Sequence, residues 1–225
     1  MYLSLTGDDL RYAIRPMRLA DVPQANEIDR ECFPDQWPPP SYKTELLFNR
    51  LADYLVAWEE EENPAEPVAT TEQSGSRPGH FLRRVRHFFS VEKAPHSATR
   101  QRIVGLVGFW IMAGEAHITT IGVREAYRRQ GIGELLLIYA IELALMRHAE
   151  VTTLEVRSSN SAAMALYEKY GFTKTGVRRG YYTDNREDAV IMTTDTITST
   201  PFQSRFQRLK QARAERWGSA QCQID

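Results

Sequence analysis

The residues best suited to chemistry lie in the second half of the sequence. Arg128, Arg129, Gln130, Gly131, Ile132 and Gly133 form a short glycine-bearing run between a β-branched stretch and a long apolar one. Glycine lets backbone N–H groups approach a ligand closely, and the start of a helix favours an anion, so a pyrophosphate is the natural guest. Two commoner phosphate patterns are excluded. A dinucleotide fingerprint would need glycine where Leu136 stands, and no Gly-Lys-Ser/Thr follows for a P-loop. On these residues alone, a tight turn with no ligand is an equal reading. Glu155 is an acid inside an apolar run, where an unpaired carboxylate is costly. It either works or pairs, with Arg157 on the same strand face or with Arg124. Tyr167, one turn from Ala163, reads by spacing as a core tyrosine. Asn160 is placed to cap a helix. Tyr181 and Tyr182 either pack at a hairpin base or clamp a peptide backbone.

The elements that must position these residues follow from periodicity and punctuation. A strand is expected over 12–17. A helix runs from Asp21 to about Cys32, with Asp21 and Gln24 as its capping box and Pro23 in its first turn. Prolines 34, 38, 39 and 40 break it, and Ser41 caps a second helix to about Asn49. Strands are expected over 54–58, 103–112 and 117–123, the last two joined by a turn over 113–116. A helix over 134–148, a strand over 151–156, a helix over 160–170 stopped by Gly171, and a strand over 188–194 complete the series. The order β-α-α-β, insertion, β-β-α-β-α-β predicts an α/β fold: a central mixed sheet flanked by helices.

Two segments stand apart. Residues 59–101 begin with four acids, continue Pro- and Gly-rich, and end basic with Phe81, Phe88 and Phe89 interleaved. They read as an insertion between two strands, with a disordered-linker composition in their middle. Its basic end is either a docking helix or a cover for the domain's own apolar surface. Residues 196–225 form a tail whose Phe202, Phe206, Leu209 and Trp217 share one helix face, against a basic face of Arg205, Arg208, Lys210, Arg213 and Arg216. That helix either contacts RNA or the ribosome or packs on its own domain.

Composition narrows the class. The 225 residues carry 28 Lys+Arg and 29 Asp+Glu, so neither a polycationic nucleic-acid coat nor a strongly acidic surface is expected. Two cysteines, Cys32 and Cys222, support neither a disulfide framework nor a cysteine metal site. The five histidines show no ligand spacing, so no metal is expected. The longest apolar runs, 103–114 and 135–146, fall short of the roughly 20 residues of a membrane helix. The N-terminus lacks a secretory signal pattern, and a cytoplasmic location is expected.

The run 128–133 resembles the Arg/Gln-x-x-Gly-x-Gly/Ala motif of the GCN5-related N-acetyltransferases. Downstream, Leu154-Glu155-Val156-Arg157-Ser158-Ser159-Asn160 and Ala165-Leu166-Tyr167-Glu168-Lys169-Tyr170-Gly171-Phe172 are similar to the RimI branch of that family. So are Arg178-Arg179-Gly180-Tyr181-Tyr182 and Arg186-Glu187-Asp188-Ala189-Val190-Ile191-Met192. Three matched blocks in the right order are a specific signal. The resemblance covers 12–195 without the insertion. It implies the acyl-CoA N-acyltransferase fold, with a mostly antiparallel sheet.

By that resemblance, acetyl-CoA is the co-substrate. Its pantetheine arm pairs with the backbone of Ile121, Gly122 and Val123, and Gly122 leaves that face open. Its pyrophosphate sits on Arg128, Arg129, Gln130, Gly131, Ile132, Gly133 and Glu134, where Glu134 departs from a residue often basic. Asn160 also touches the coenzyme. Glu155 matches the general base, acting through water, and Tyr167 the general acid for the departing thiolate. The chemistry agrees: an α-ammonium of pKa about 7.7–8.0 needs only modest help to deprotonate, and a phenol near 10 can protonate a thiolate. Attack on the thioester builds an oxyanion, best met by a backbone N–H. Peptides enter between loops 33–42 and 178–188, where Tyr181 and Tyr182 stand.

The implied acceptor is a protein N-terminus, foremost the N-terminal alanine of a small-subunit ribosomal protein. The expected form is a monomer or homodimer, with no nucleic acid required. Two rivals remain open: the same fold acting on lysine or a small amine, and a non-catalytic acyl-CoA-binding docking module.

Overall fold

The computed structural model describes residues 12–34, 41–61 and 100–222. The chain divides into two compact units, Met1–Glu59 with Arg102–Asp225, and Glu60–Gln101. The readings of residues 62–99, including the basic stretch, and of prolines 38–40 lie outside the described residues.

Eight strands form one sheet, in the order β6-β7-β5-β4-β3-β2-β1-β8. They are β1 (Ala13–Pro16), β2 (Ala52–Glu61), β3 (Arg100–Met112), β4 (Glu115–Val123), β5 (Val151–Arg157), β6 (Phe172–Arg178), β7 (Ala189–Thr194) and the two-residue β8 (Gln221–Cys222). Five helices join them: α1 (Val22–Cys32), α2 (Tyr42–Phe48), α3 (Ile132–Met146), α4 (Ser161–Lys169) and α5 (Thr200–Trp217). Among the described residues, no helix is long and apolar enough to cross a membrane.

Strand alternation builds a core on each face of the sheet. Leu55 and Ala57 of β2 point into one core with Val104, Val107, α3 and α5. Tyr54, Val56 and Trp58 point into the other, with Ala25 and Ile28 of α1 and Tyr42 of α2. Helix α3 buries ten of its fifteen residues, so it needs cover on both sides. The sheet supplies one cover and α5 the other. Phe202 and Phe206 of α5 stack on each other, Phe206 meets Tyr170 just past α4, and Lys210 pairs with Glu142 of α3. Burying a ring such as Phe206 contributes about 1.5–3 kcal/mol.

Three expectations need correction. Asp21 does not close a capping box with Gln24. Its carboxylate is buried and takes two hydrogen bonds from Arg15, at 2.6 and 2.9 Å, while Gln24 Oε1 accepts from Ile103 N. A guanidinium buried as deeply as Arg15 needs a carboxylate partner more than the helix end needs a cap. The strand β6 lies between α4 and β7, where none was expected. Arg213 is buried, not part of a solvated basic face. Helix α5 lies on its own domain.

Candidate active site

Strands β4 and β5 run parallel, but their pairing covers only Glu115↔Val151 to Ile118↔Leu154. Beyond that point each keeps its other neighbour. Residues Ile121 to Val123 of β4 stay on Val107 to Gly105 of β3, and Glu155 to Arg157 of β5 stay on Ile191 to Ala189 of β7. The strands therefore splay, and a cleft of about 670 Å³ opens between them. Its walls include Ile118 to Ile121, Leu154 to Arg157, Asn160, Tyr167, Tyr181 and Tyr182, with Cys32 and Phe33 from the end of α1.

Glu155 stands where the splay begins. Its partners are neither Arg157 nor Arg124. Oε2 lies 2.7 Å from His117 Nε2 on β4, and Oε1 lies 3.0 Å from Arg178 Nη2 at the end of β6. The Glu155 side chain is 9 % exposed and that of His117 32 %, so the imidazole is the accessible half of the pair. His117 Nδ1 in turn lies 3.8 Å from Glu115. Strand pairing across a distant crossover brings His117 here, and its position in the sequence carries no sign of this partnership. Tyr167 is buried against Phe172 in the same cleft. Burial, with the nearby Tyr182, pushes its phenol well above the usual tyrosine range, so it keeps its proton.

The loop between β6 and β7 carries Tyr181 and Tyr182, whose rings meet edge to face at 5.2 Å. Arg157 holds this loop: Nη2 reaches Asp184 at 3.0 Å, Nη1 reaches Glu187 at 3.3 Å, and the guanidinium lies 3.9 Å from the Tyr182 ring centre. Glu187 also accepts from Ser159 N at 2.6 Å and from Ser158 Oγ. Hydrogen bonds from Ser159 hold its carboxyl down at about 2. Burial pushes the Tyr182 phenol up to about 12. Asn160 caps α4 by accepting from Ala163 N.

The glycine-bearing turn stands outside the cleft walls, at the end of β4. Arg129 and Gly131 both adopt left-handed backbone, with φ of 64° and 75°. Gly131 is the N-cap of α3 and offers no side-chain cap, so the first N–H groups of the helix have no partner within it. Tyr12, just before β1, donates from its Oη to Gln130 Oε1 at 2.7 Å and fixes the turn from that side. Glu134 faces away toward α4, where Lys169 Nζ and Tyr170 Oη bind its Oε1 at 2.6 and 2.7 Å. The Gly122 face is not open: a Cβ there would lie 3.3 Å from Cys32 Sγ, because α1 crosses β4 at that point. The Val123 carbonyl already accepts from Cys32 Sγ and Arg128 Nε. Of the three strand residues expected at the coenzyme arm, Ile121 is the one that lines the cleft.

Comparisons with known proteins place this arrangement. The Acetyltransferase (GNAT) family pattern matches residues 71–172. A putative ribosomal protein bS18-alanine N-acetyltransferase of Bacillus subtilis is 36% identical over 180 residues, 80% of this chain and 93% of that one. The chain belongs to the GNAT acetyltransferase family. An N-alpha-acetyltransferase of Sulfurisphaera tokodaii is 32% identical over 182 residues, 80% of this chain and 91% of the other. The crystal structure of the ribosomal-protein-S18-alanine N-acetyltransferase of Escherichia coli superposes with a TM-score of 0.56 at 25% identity, covering 81% of this chain and 92% of that one. This GNAT protein is an acetyl-CoA-dependent N-acetyltransferase of RimI type. Its fold is the expected one. Sequence reasoning missed three groups in this GNAT site: His117 and Arg178 on the Glu155 carboxylate, and Arg157 as anchor of the tyrosine loop.

Proposed function

We propose that this enzyme acetylates the N-terminal α-amine of a protein, foremost an N-terminal alanine of a small-subunit ribosomal protein. One observation carries the reading. The Glu155 carboxylate is held by His117 where β4 and β5 part, in an open cleft that also holds the protonated Tyr167 and the tyrosine-bearing loop. The alanine N-acetyltransferase and N-alpha-acetyltransferase identities of the Bacillus and Sulfurisphaera relatives support an α-amine acceptor.

Acetyl-CoA supplies the thioester acyl group. The residues fit it: the splayed edge of β4 suits an extended arm, and the left-handed turn before α3 presents N–H groups to a pyrophosphate. In this reading Arg128, Arg129, Gln130, Gly131, Ile132, Gly133 and Glu134 seat the phosphates by their backbone. Ile121 flanks the arm, and Asn160 meets the coenzyme from the start of α4. Glu155 accepts the proton of the incoming ammonium, directly or by one water, with His117 and Arg178 holding its two oxygens. Tyr167 donates its proton to the departing sulfur. Tyr181 and Tyr182 clamp the acceptor's first residues.

The test is acetylation of a panel of N-terminal peptides, with internal-lysine and polyamine controls, read by mass spectrometry. Transfer to an α-amine, strongest on an Ala-led ribosomal peptide, is expected. Transfer only to lysine or polyamine would overturn the acceptor. No transfer, with tight coenzyme binding, would favour a docking module instead.

A further inference from the structure

Helix α5 ends at the glycine-bearing turn. The indole of Trp217, its last residue, lies so close to Gly131 that a Cβ there would meet Cδ1, Cγ and Nε1 at 2.8–2.9 Å. Gly131 is left-handed, so this contact rests on the backbone of the turn itself. Trp217 itself is 36% exposed, and it is the end of α5 behind it that is tied down. Arg213, one turn earlier, is 95% buried by its 5% exposure, and its Nη1 donates to the carbonyl of Gly218 at 2.9 Å, closing the end of α5 just past Trp217. Burial pulls the Arg213 guanidinium down, and the Glu134 carboxylate in the first turn of α3 opposes that pull. Arg213 Nε has no hydrogen-bond partner among the described residues. A buried cation with a spare donor is costly to keep, and here it lies beside the first turn of α3. Arg216 places a cation over the indole, 5.0 Å from its ring centre.

We infer that α5 is part of the coenzyme site, with Trp217 a positioning residue that backs the turn and Arg213 the anchor that holds Trp217 in place. A turn with two left-handed residues has no hydrogen-bond ladder of its own to hold it, and its N–H groups serve a pyrophosphate only when they converge. Tyr12 fixes one side of the turn through Gln130, and Trp217 fixes the other through Gly131. The segment outside the expected catalytic domain therefore sets coenzyme affinity while standing apart from the reacting atoms. The inference rests on the reading of this turn as the pyrophosphate seat.

The experiment is calorimetric binding of acetyl-CoA and of acetyl-pantetheine, which lacks the nucleotide end, to the full chain and to Trp217→Ala and Trp217→Phe. The wild type is expected to prefer acetyl-CoA. Trp217→Ala should weaken acetyl-CoA roughly tenfold, a change of about 1.4 kcal/mol, and leave acetyl-pantetheine unchanged. Trp217→Phe should recover most of the loss. In turnover, the KM for acetyl-CoA should rise while kcat at saturation holds. If the wild type shows no preference for acetyl-CoA, the pyrophosphate seat itself is wrong. If it shows the preference and Trp217→Ala keeps it, the role of α5 is wrong. Equal weakening of both ligands means general loss of structure, and tighter acetyl-CoA binding means that the indole obstructs the seat. Either result overturns the inference.

Discussion

His117 Nε2 and Glu155 Oε2 lie 2.7 Å apart across two parallel strands, at the level where those strands begin to separate. The pair couples an accessible imidazole to a nearly buried carboxylate. Removing the carboxylate should cost more than removing the imidazole. Glu155→Gln should lower kcat/KM by about 10²-fold or more, the scale of a lost general base, with acetyl-CoA affinity unchanged. His117→Gln, which leaves the carboxylate in place, should cost less in kcat than Glu155→Gln. Steady-state kinetics across pH check both. Wild-type turnover by Glu155→Gln at every pH, with binding intact, would remove Glu155 from the mechanism.

Tyr167→Phe keeps the ring against Phe172 and removes only the hydroxyl. Thermal stability should stay near wild type while kcat falls by about tenfold or more. Burial holds the Tyr167 proton above the ordinary tyrosine range of about 10, so no alkaline loss of activity below that pH should trace to this residue. A wild-type alkaline limb near pH 8–9 that vanishes in Tyr167→Phe would contradict the assignment.

Acid should loosen the tyrosine loop. Glu187 has a folded pKa of about 2, below its unfolded value of about 4.3. Its contribution is therefore full above pH 4.3 and lost as pH falls toward 2. Thermal midpoints measured from pH 6 to 2.5 should fall more steeply for wild type than for Glu187→Gln. Parallel curves would show that the Ser159 contacts do not act through this carboxylate.

Gly108→Ala should destabilise the sheet. A Cβ at Gly108 would lie 2.2 Å from the Tyr54 ring, at the bulge between Gly108 and Phe109. Overpacking of this kind costs about 1–3 kcal/mol. Urea unfolding checks the value. An unchanged midpoint would mean that Tyr54 has room to move.

The order of elements was legible because each strong signal is local. Apolar α3 and β3, the proline-rich break after α1 and Gly171 after α4 announce themselves within a few residues. Strand β6 did not. Its Thr173, Lys174 and Thr175 are exposed, so Phe172–Arg178 lacks the apolar alternation of a strand packed on one side. At the site, motif resemblance reached Glu155 and Tyr167 as candidates, since both lie in continuous blocks. The partners of Glu155 were out of reach. His117 and Arg178 meet it through pairing between β4, β5, β7 and β6, contacts of long sequence separation that no local pattern encodes. Asp21 misled for the same reason: its position suits a helix cap, and a buried arginine six residues earlier claims it. The burial of Arg213 was equally hidden, because helical spacing placed it on a charged face.

The splay of β4 from β5 gives this sheet an edge in its middle. Past Ile118 and Leu154 neither strand hydrogen-bonds to the other. Edges on the rim of a sheet invite pairing with any passing chain. An edge recessed between two strands, with α1 at its mouth, admits only something narrow and extended that can satisfy one row of amides. Selection against stray strands and selection for a slender guest thus come from a single geometric fact. The β4 amides past Ile118 that face away from β3 should accordingly exchange with deuterium faster than their β3-paired neighbours, and slow when such a guest arrives.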